Sequence, residues 1–194
     1  MSKLYFTYSA MNAGKSAILL QAAHNYGERG MAVMLWTSVH HAAEPGDRTG
    51  LIESRIGLRA SAQIFAPDTD LFAAIKAQAG AAALDAIFFD EAQFLTADQV
   101  RQLARVVDEL GLPVLCYGLR TDFLGALFPG SAELLALADH LREVRTVCHC
   151  GRKATMNLRR QADGRAVAEG EQVAVEKSDY VSLCRKHFFE ALAG

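Results

Sequence analysis

No stretch of the 194-residue chain approaches the ~20 consecutive apolar residues that a membrane-spanning helix needs. Its first residues, MSKLYFTYSAMNAGKS, hold no secretory apolar region followed by a small-residue cleavage site, so the expected location is the cytoplasm. Neither charge is in excess: 20 Lys and Arg stand against 22 Asp and Glu, giving a net charge of −2 and a pI near 6.3. Such a balance offers no broad basic surface, so neither nucleic acid nor membrane is an expected partner, and any bound anion must be gripped locally. Internal repeats and low-complexity tracts are missing too. Cysteine is scarce, and the four present would not form a disulfide framework in a reducing compartment, so their spacing has to be read another way. What remains is 51% hydrophobic with a mean hydropathy of +0.09, the composition of a folded chain with one main core and a small appendage.

Along the chain, short apolar runs alternate with helical patterns. Lys3 to Tyr8 reads as a strand running into SAMNAGKS and then a helix, AILLQAAHNYGERG, closed by Gly27 and Gly30. Further strands are expected over Met31 to Thr37, Leu84 to Asp90, Pro113 to Gly118 and Glu143 to Cys148, with helices over Asp70 to Ala83, after an N-cap at Thr96, and over Ser131 to His140. Between His40 and Arg59 the periodicity lapses, and a mobile loop or hairpin is expected. Strands and helices alternating at this pitch predict an α/β fold, a parallel sheet covered by helices on both faces. The tail beyond about residue 143 is polar, with few large apolar residues before Phe188, and needs a staple to fold. Residues 1–143 are expected to form the main domain and 144–194 the small one.

The segment Ser9 to Ser16, SAMNAGKS, matches G-x-x-x-x-G-K-[ST] except that Ser9 replaces the opening glycine. Gly14 lets the backbone approach a phosphate, loop amides and the helix N-terminus surround the anion, Lys15 neutralises charge, and Ser16 offers a hydroxyl to magnesium. The tripeptide alone is weak; a strand immediately before it and a good helix immediately after make it a phosphate-loop signature. Such a site needs a carboxylate from the end of a neighbouring strand. Asp90 of AIFFD fits, and Glu91 beside it could take a proton from a nucleophile, either water or a substrate hydroxyl. DEAQ also resembles the second motif of helicases, but the chain holds only one ATPase core and no basic surface for a strand.

Cys148, Cys150, Cys184 and His187 form C-x-C followed later by C-x-x-H, a set suited to tetrahedral structural zinc, with His149 as a competing ligand. Cys116, inside the apolar run PVLCYG, reads as a core thiol. From these features alone, a nucleotide-dependent switch or ATPase with a zinc-stapled docking tail is the alternative to a kinase.

Taken together, LYFTYSAMNAGKS, FFDEAQFL, PVLCYGLRTDF, CGRKA and YVSLCRKH resemble, in order and over essentially the whole chain, the cytosolic thymidine kinases shared by bacteria and vertebrates, most nearly the enterobacterial form. The resemblance implies a phosphate-loop (RecA-like) kinase domain with a zinc-binding lasso domain. It implies transfer of the ATP γ-phosphoryl group to the 5′-hydroxyl of thymidine or deoxyuridine, a homotetramer, and feedback inhibition by thymidine triphosphate. Ser9, Ala10, Met11, Asn12, Ala13, Gly14, Lys15 and Ser16 would hold the donor, with Asp90, Glu91, Ala92 and Gln93 completing the ATP site. Ser16 and Asp90 would organise Mg2+, and Glu91 would be the general base. Met11, Leu119, Phe123, Phe128 and Tyr180 would surround the nucleoside, with the lasso residues Gln172, Val173, Ala174, Val175 and Glu176 against the base. Where the family carries a glycine pair in this lasso, the chain has VAVEKSDY. Arg152 and the stretch from Asp47 to Arg55 are candidate extra cations.

Overall fold

A computed structural model describes residues 1–41, 49–170, 172 and 179–193. Seven strands form the main sheet: β1 (Leu4–Ser9), β2 (Val33–Ser38), β3 (Thr49–Glu53), β4 (Arg59–Phe65), β5 (Ala86–Phe89), β6 (Val114–Leu119) and β7 (His140–Glu143), in the order β3-β4-β2-β5-β6-β1-β7. All neighbours run parallel except the edge pair β3 and β4. Central strands are apolar throughout because both of their faces are covered. On β5, Ile87 and Phe89 point into one core with Met34, Trp36, Val114 and Cys116, while Ala86 and Phe88 point into the other with Leu19, Leu20 and Tyr117. The first core is closed by α2 (Leu71–Ala81), α3 (Ala97–Leu110) and α4 (Pro129–Leu137), the second by α1 (Lys15–Glu28) and the β3–β4 hairpin. The expected α/β sheet with helices on both faces is therefore present.

Local signals set the helix ends. Thr96 caps α3 in a full capping box with Gln99, and Gly111 closes it at φ 69°. Asp70 caps α2 by accepting from the Ala73 amide.

Three expectations shift. The region between His40 and Arg59, expected as loop or hairpin, supplies strand β3, and β4 follows it at Arg59–Phe65; residues 42–48 lie outside the described residues. The hairpin alternative is the one found, its second strand running on past Arg59; neither strand carries a buried-run pattern, because β3 exposes alternate residues and turn formers interrupt the run. The last strand of the sheet is His140–Glu143, not Glu143 to Cys148, and the helix before it ends at Leu137. As an edge strand, β7 is polar, and it is fixed by stacking of Tyr5 on His140 at 5.2 Å and by Lys3 Nζ, 2.9 Å from His140 Nε2. Beyond it the tail is richer in core than its composition suggests. A hairpin of β8 (Thr146–Val147) and β9 (Lys153–Ala154), a ribbon of β10 (Met156–Arg160) and β11 (Asp179–Leu183), and helix α5 (Arg185–Ala193) bury Met156, Leu158, Leu183 and Phe188 beside Cys148 and Cys184.

One glycine decides how closely the layers meet. A Cβ on Gly130, in the first turn of α4, would lie 2.5 Å from the Leu95 carbonyl oxygen and 2.8 Å from that of Ala92. Both contacts are backbone and cannot swing away. Gly130→Ala should therefore cost about 2–3 kcal/mol in denaturant unfolding; an unchanged midpoint would show that α4 can slide.

Candidate active site

The cleft lies at the carboxyl ends of the parallel strands, where open α/β sheets place ligands. β1 ends at Ser9, and the loop that follows returns into α1, whose N-cap Gly14 has φ 85°, a left-handed conformation that disfavours any side chain. Asn12 and Glu91 are the non-glycine residues with positive φ among those described, at 61° and 52°, and both border this cleft. Left-handed backbone at such residues persists only where the surroundings enforce it, and it is concentrated at functional sites.

Lys15 is buried, with Nζ donating to Ser9 Oγ at 3.0 Å and to the Ala10 carbonyl at 3.3 Å. Ser9 thus gives the lysine an acceptor that glycine would lack. Burial pulls the Lys15 pKa down, while Glu91 and Asp90 pull it up.

Asp90 follows β5 and is 4% exposed, with Oδ1 buried and without a hydrogen-bond partner. An orphaned carboxylate oxygen beside the Ser16 hydroxyl is a donor set that suits a hard divalent cation such as magnesium. Burial, and next the charge of Glu91, push the Asp90 carboxyl up to about 7, against hydrogen bonding from Ser16 and the charge of Lys15. A folded-state value above the unfolded one makes this group's stability contribution fully present below about pH 4 and lost as pH rises through 7. Asp90→Asn should consequently stabilise nucleotide-free protein at pH 8 by about 1–3 kcal/mol in denaturant unfolding, with little gain at pH 4. A gain of equal size at both pH values would instead assign the effect to packing.

Glu91 sits where two cavities meet. One holds the phosphate loop, Arg55 and Ile56; the other holds Phe94, Phe123, Phe128, Asn157, Gln172 and Tyr180; Met11, His41, Glu91 and Leu119 line both. The second cavity encloses about 290 Å3, near the lower end of small-molecule sites at ~300–1,000 Å3. Glu91 accepts a hydrogen bond from Gln93 Nε2, and Gln93 Oε1 accepts from the Leu119 amide at 2.9 Å, so one amide side chain ties the acid to the end of β6. His41 Nε2 approaches Glu91 at 3.8 Å. The neighbouring His40 packs against Phe94 with ring centroids 4.6 Å apart and planes tilted by 56°, and burial followed by the proximity of His41 lowers its pKa.

Most residues picked from the sequence meet here, with exceptions. Ala92 is fully buried in the main core and offers the cleft no side chain, and Gln93 faces the aromatic cavity rather than the phosphate loop. Gln172 is tied to Asp122 by a 2.8 Å hydrogen bond, while Val173, Ala174, Val175 and Glu176 lie outside the described residues, as does Asp47. Arg152 lines neither cavity; its carbonyl accepts from the Cys148 amide in the β8–β9 turn. Sequence reasoning missed Asn157, Ser182, Asp122 and His41. Asp122 lies inside the recognised run PVLCYGLRTDF, but nothing in KATMNLRR distinguishes Asn157 from a surface polar residue.

Away from the cleft, the ligand atoms of Cys148, Cys150, Cys184 and His187 all lie within 4.8 Å of one another. Tetrahedral zinc with bonds of about 2.3 Å to sulfur and 2.0–2.1 Å to nitrogen needs edges of about 3.5–3.8 Å. Here Cys148 Sγ and Cys184 Sγ stand 3.3 and 3.6 Å from His187 Nδ1, and Cys150 Sγ lies 3.9 Å from Cys184 Sγ. Burial opposes a thiolate at Cys148, but hydrogen bonds from the Cys150 and Cys184 backbone and from His187 prevail and hold it at about 5. His149 stacks on His187 at 4.3 Å and stands outside this cluster. Cys116 is fully buried in β6, where burial pushes its thiol up.

A family model described as thymidine kinase matches residues 2–188. Among curated proteins, one named thymidine kinase from Ruegeria pomeroyi is 60% identical over 192 residues, covering 98% of this chain and 96% of its own. Another of that name from Jannaschia sp. is 59% identical, covering 99% and 97%. A third, from Yersinia pseudotuberculosis, is 54% identical with the same coverage, 99% and 97%.

Proposed function

The chain belongs to the thymidine kinase family, and from that premise we propose that it transfers the γ-phosphoryl group of ATP to the 5′-hydroxyl of thymidine, and of deoxyuridine, in pyrimidine salvage. The observation that carries this reading is the meeting of a phosphate-loop cavity and an aromatic cavity at Glu91. A water-activating ATPase or switch has no use for Phe94, Phe123, Phe128 and Tyr180 around its base.

Donor phosphates lie against residues 9–16, where loop amides, the α1 N-terminus and Lys15 meet their charge. Ser16 and Asp90 would hold the Mg2+ that accompanies ATP, which would supply charge neutralisation to the donor phosphates. Thymidine occupies the aromatic cavity, with its base against Phe123, Phe128 and Leu119, its sugar towards Tyr180, and its 5′-hydroxyl towards Glu91. The Glu91 carboxylate takes the hydroxyl proton as the new oxygen–phosphorus bond forms; the bond to the bridging oxygen breaks and ADP leaves. Gln172, which lines this cavity, meets the base. A 5-methyl group adds only ~1–3 kcal/mol of discrimination, so deoxyuridine is also a substrate.

In this reading residues 1–143 are the kinase domain and 144–194 a lasso domain stapled by structural Zn2+. Family membership supports a cytoplasmic homotetramer inhibited by thymidine triphosphate. No helix among the described residues is long and apolar enough to cross a membrane. ADP release in magnesium buffer should require thymidine or deoxyuridine; equal release without nucleoside would contradict the reading.

A further inference from the structure

Met11 lies in the middle of the phosphate loop, yet its backbone is held from the other lobe. Its amide donates to Asn157 Oδ1 at 2.7 Å, and its carbonyl accepts from Ser182 Oγ at 2.7 Å. Asn157 and Ser182 are directly opposed residues of the β10–β11 ribbon, so one cross-strand pair grips both polar groups of one loop residue. Asn157 is 1% exposed, and its Nδ2 donates to the Thr121 carbonyl at 2.9 Å, which joins the ribbon to the segment after β6. The next loop residue is Asn12, with its left-handed backbone at φ 61°. A left-handed residue other than glycine carries a strain cost that its surroundings offset, and the amides that follow it reach a phosphate only if that turn is kept.

We infer that Asn157 and Ser182 are positioning residues for the donor, fixing Met11 so that the loop beyond it keeps its anion-binding shape. The ribbon is therefore part of the ATP site as well as a cover for the nucleoside. Preorganisation of this kind shows in donor affinity, because a slack loop must be ordered on binding. The inference rests on the phosphate-loop assignment, which Lys15→Met tests separately: loss of turnover there with intact folding supports the assignment whatever the ribbon variants do.

Asn157→Leu keeps the side-chain size and removes both hydrogen bonds; Ser182→Ala removes one bond at a half-buried site and is the milder change; Ser182→Thr keeps the hydroxyl. Equilibrium binding of magnesium ATP, the separate KM values for ATP and thymidine, and zinc content should be measured for each. The expected result is an ATP Kd and KM raised about tenfold in Asn157→Leu and several-fold in Ser182→Ala. Thymidine KM should stay within about threefold in Ser182→Ala, whose side chain lines neither cavity, zinc should be unchanged in both variants, and Ser182→Thr should restore donor affinity. Unchanged ATP affinity in both variants would overturn the inference, and so would a rise in thymidine KM alone, which would make Asn157 a wall of the nucleoside pocket only.

Discussion

Replacing Glu91 with Gln should lower kcat by about 10²–10⁴-fold while thymidine and magnesium ATP still bind. The side chain keeps its length and its place on the left-handed turn at φ 52°, but an amide cannot accept the hydroxyl proton. Because the interaction lost is made as the proton moves, kcat and kcat/KM should fall together. Gln93 is a useful partner variant. Its amide bridges Glu91 and the Leu119 amide, so Gln93→Leu should lower kcat less than Glu91→Gln and leave folding largely intact. Steady-state kinetics with both substrates varied, alongside direct binding, separates these outcomes. Full turnover in Glu91→Gln would remove this residue from the proton path.

Cys184→Ser should abolish stoichiometric zinc and most of the activity together. The sulfur it removes stands 3.9 Å from Cys150 Sγ and 3.6 Å from His187 Nδ1, and a structural zinc in a small domain contributes apparent binding energies of ~10–16 kcal/mol to folding. Activity falls with the metal because the same small lobe carries Tyr180, Ser182 and Asn157, whose contacts reach the cleft. Cys116→Ser is the matched control: that thiol is buried in the sheet, remote from the cluster, and zinc content should be unaffected. His187→Ala should also release the metal, whereas His149→Ala should keep it. Retention of full zinc in Cys184→Ser would dismiss the four-ligand site.

What could be seen from sequence follows the range of the interactions. The strand, loop and helix around SAMNAGKS, the acids after AIFFD and the capped helix at Thr96 are encoded by contiguous residues, and they stand where the pattern puts them. Edge strands were harder. β7 and β3 have one free edge, so their residues are half polar and lack the buried-run signature, which is why the expected strand after α4 fell three residues late. The tail's core was hidden for another reason: Met156, Leu158, Leu183 and Phe188 are too sparse to form a periodic pattern and meet through the β10–β11 pairing and the packing of α5 beside the cysteine cluster. Least legible were the clamps. Asn157 reaches Met11 across 146 positions and Ser182 does so across 171, and polar residues of a short ribbon carry no local mark of such a role. Ser9 shows the reverse case, a departure from the motif that only the fold explains, since its hydroxyl receives Lys15.

Phosphoryl transfer to the nucleoside is tested most directly by following the label from γ-labelled ATP in a single turnover with the wild-type protein, magnesium and thymidine. The label should appear in thymidine 5′-monophosphate, at the 5′ position, at a rate that Glu91→Gln lowers by about 10²–10⁴-fold. Label released as inorganic phosphate at the same rate with or without thymidine would contradict it.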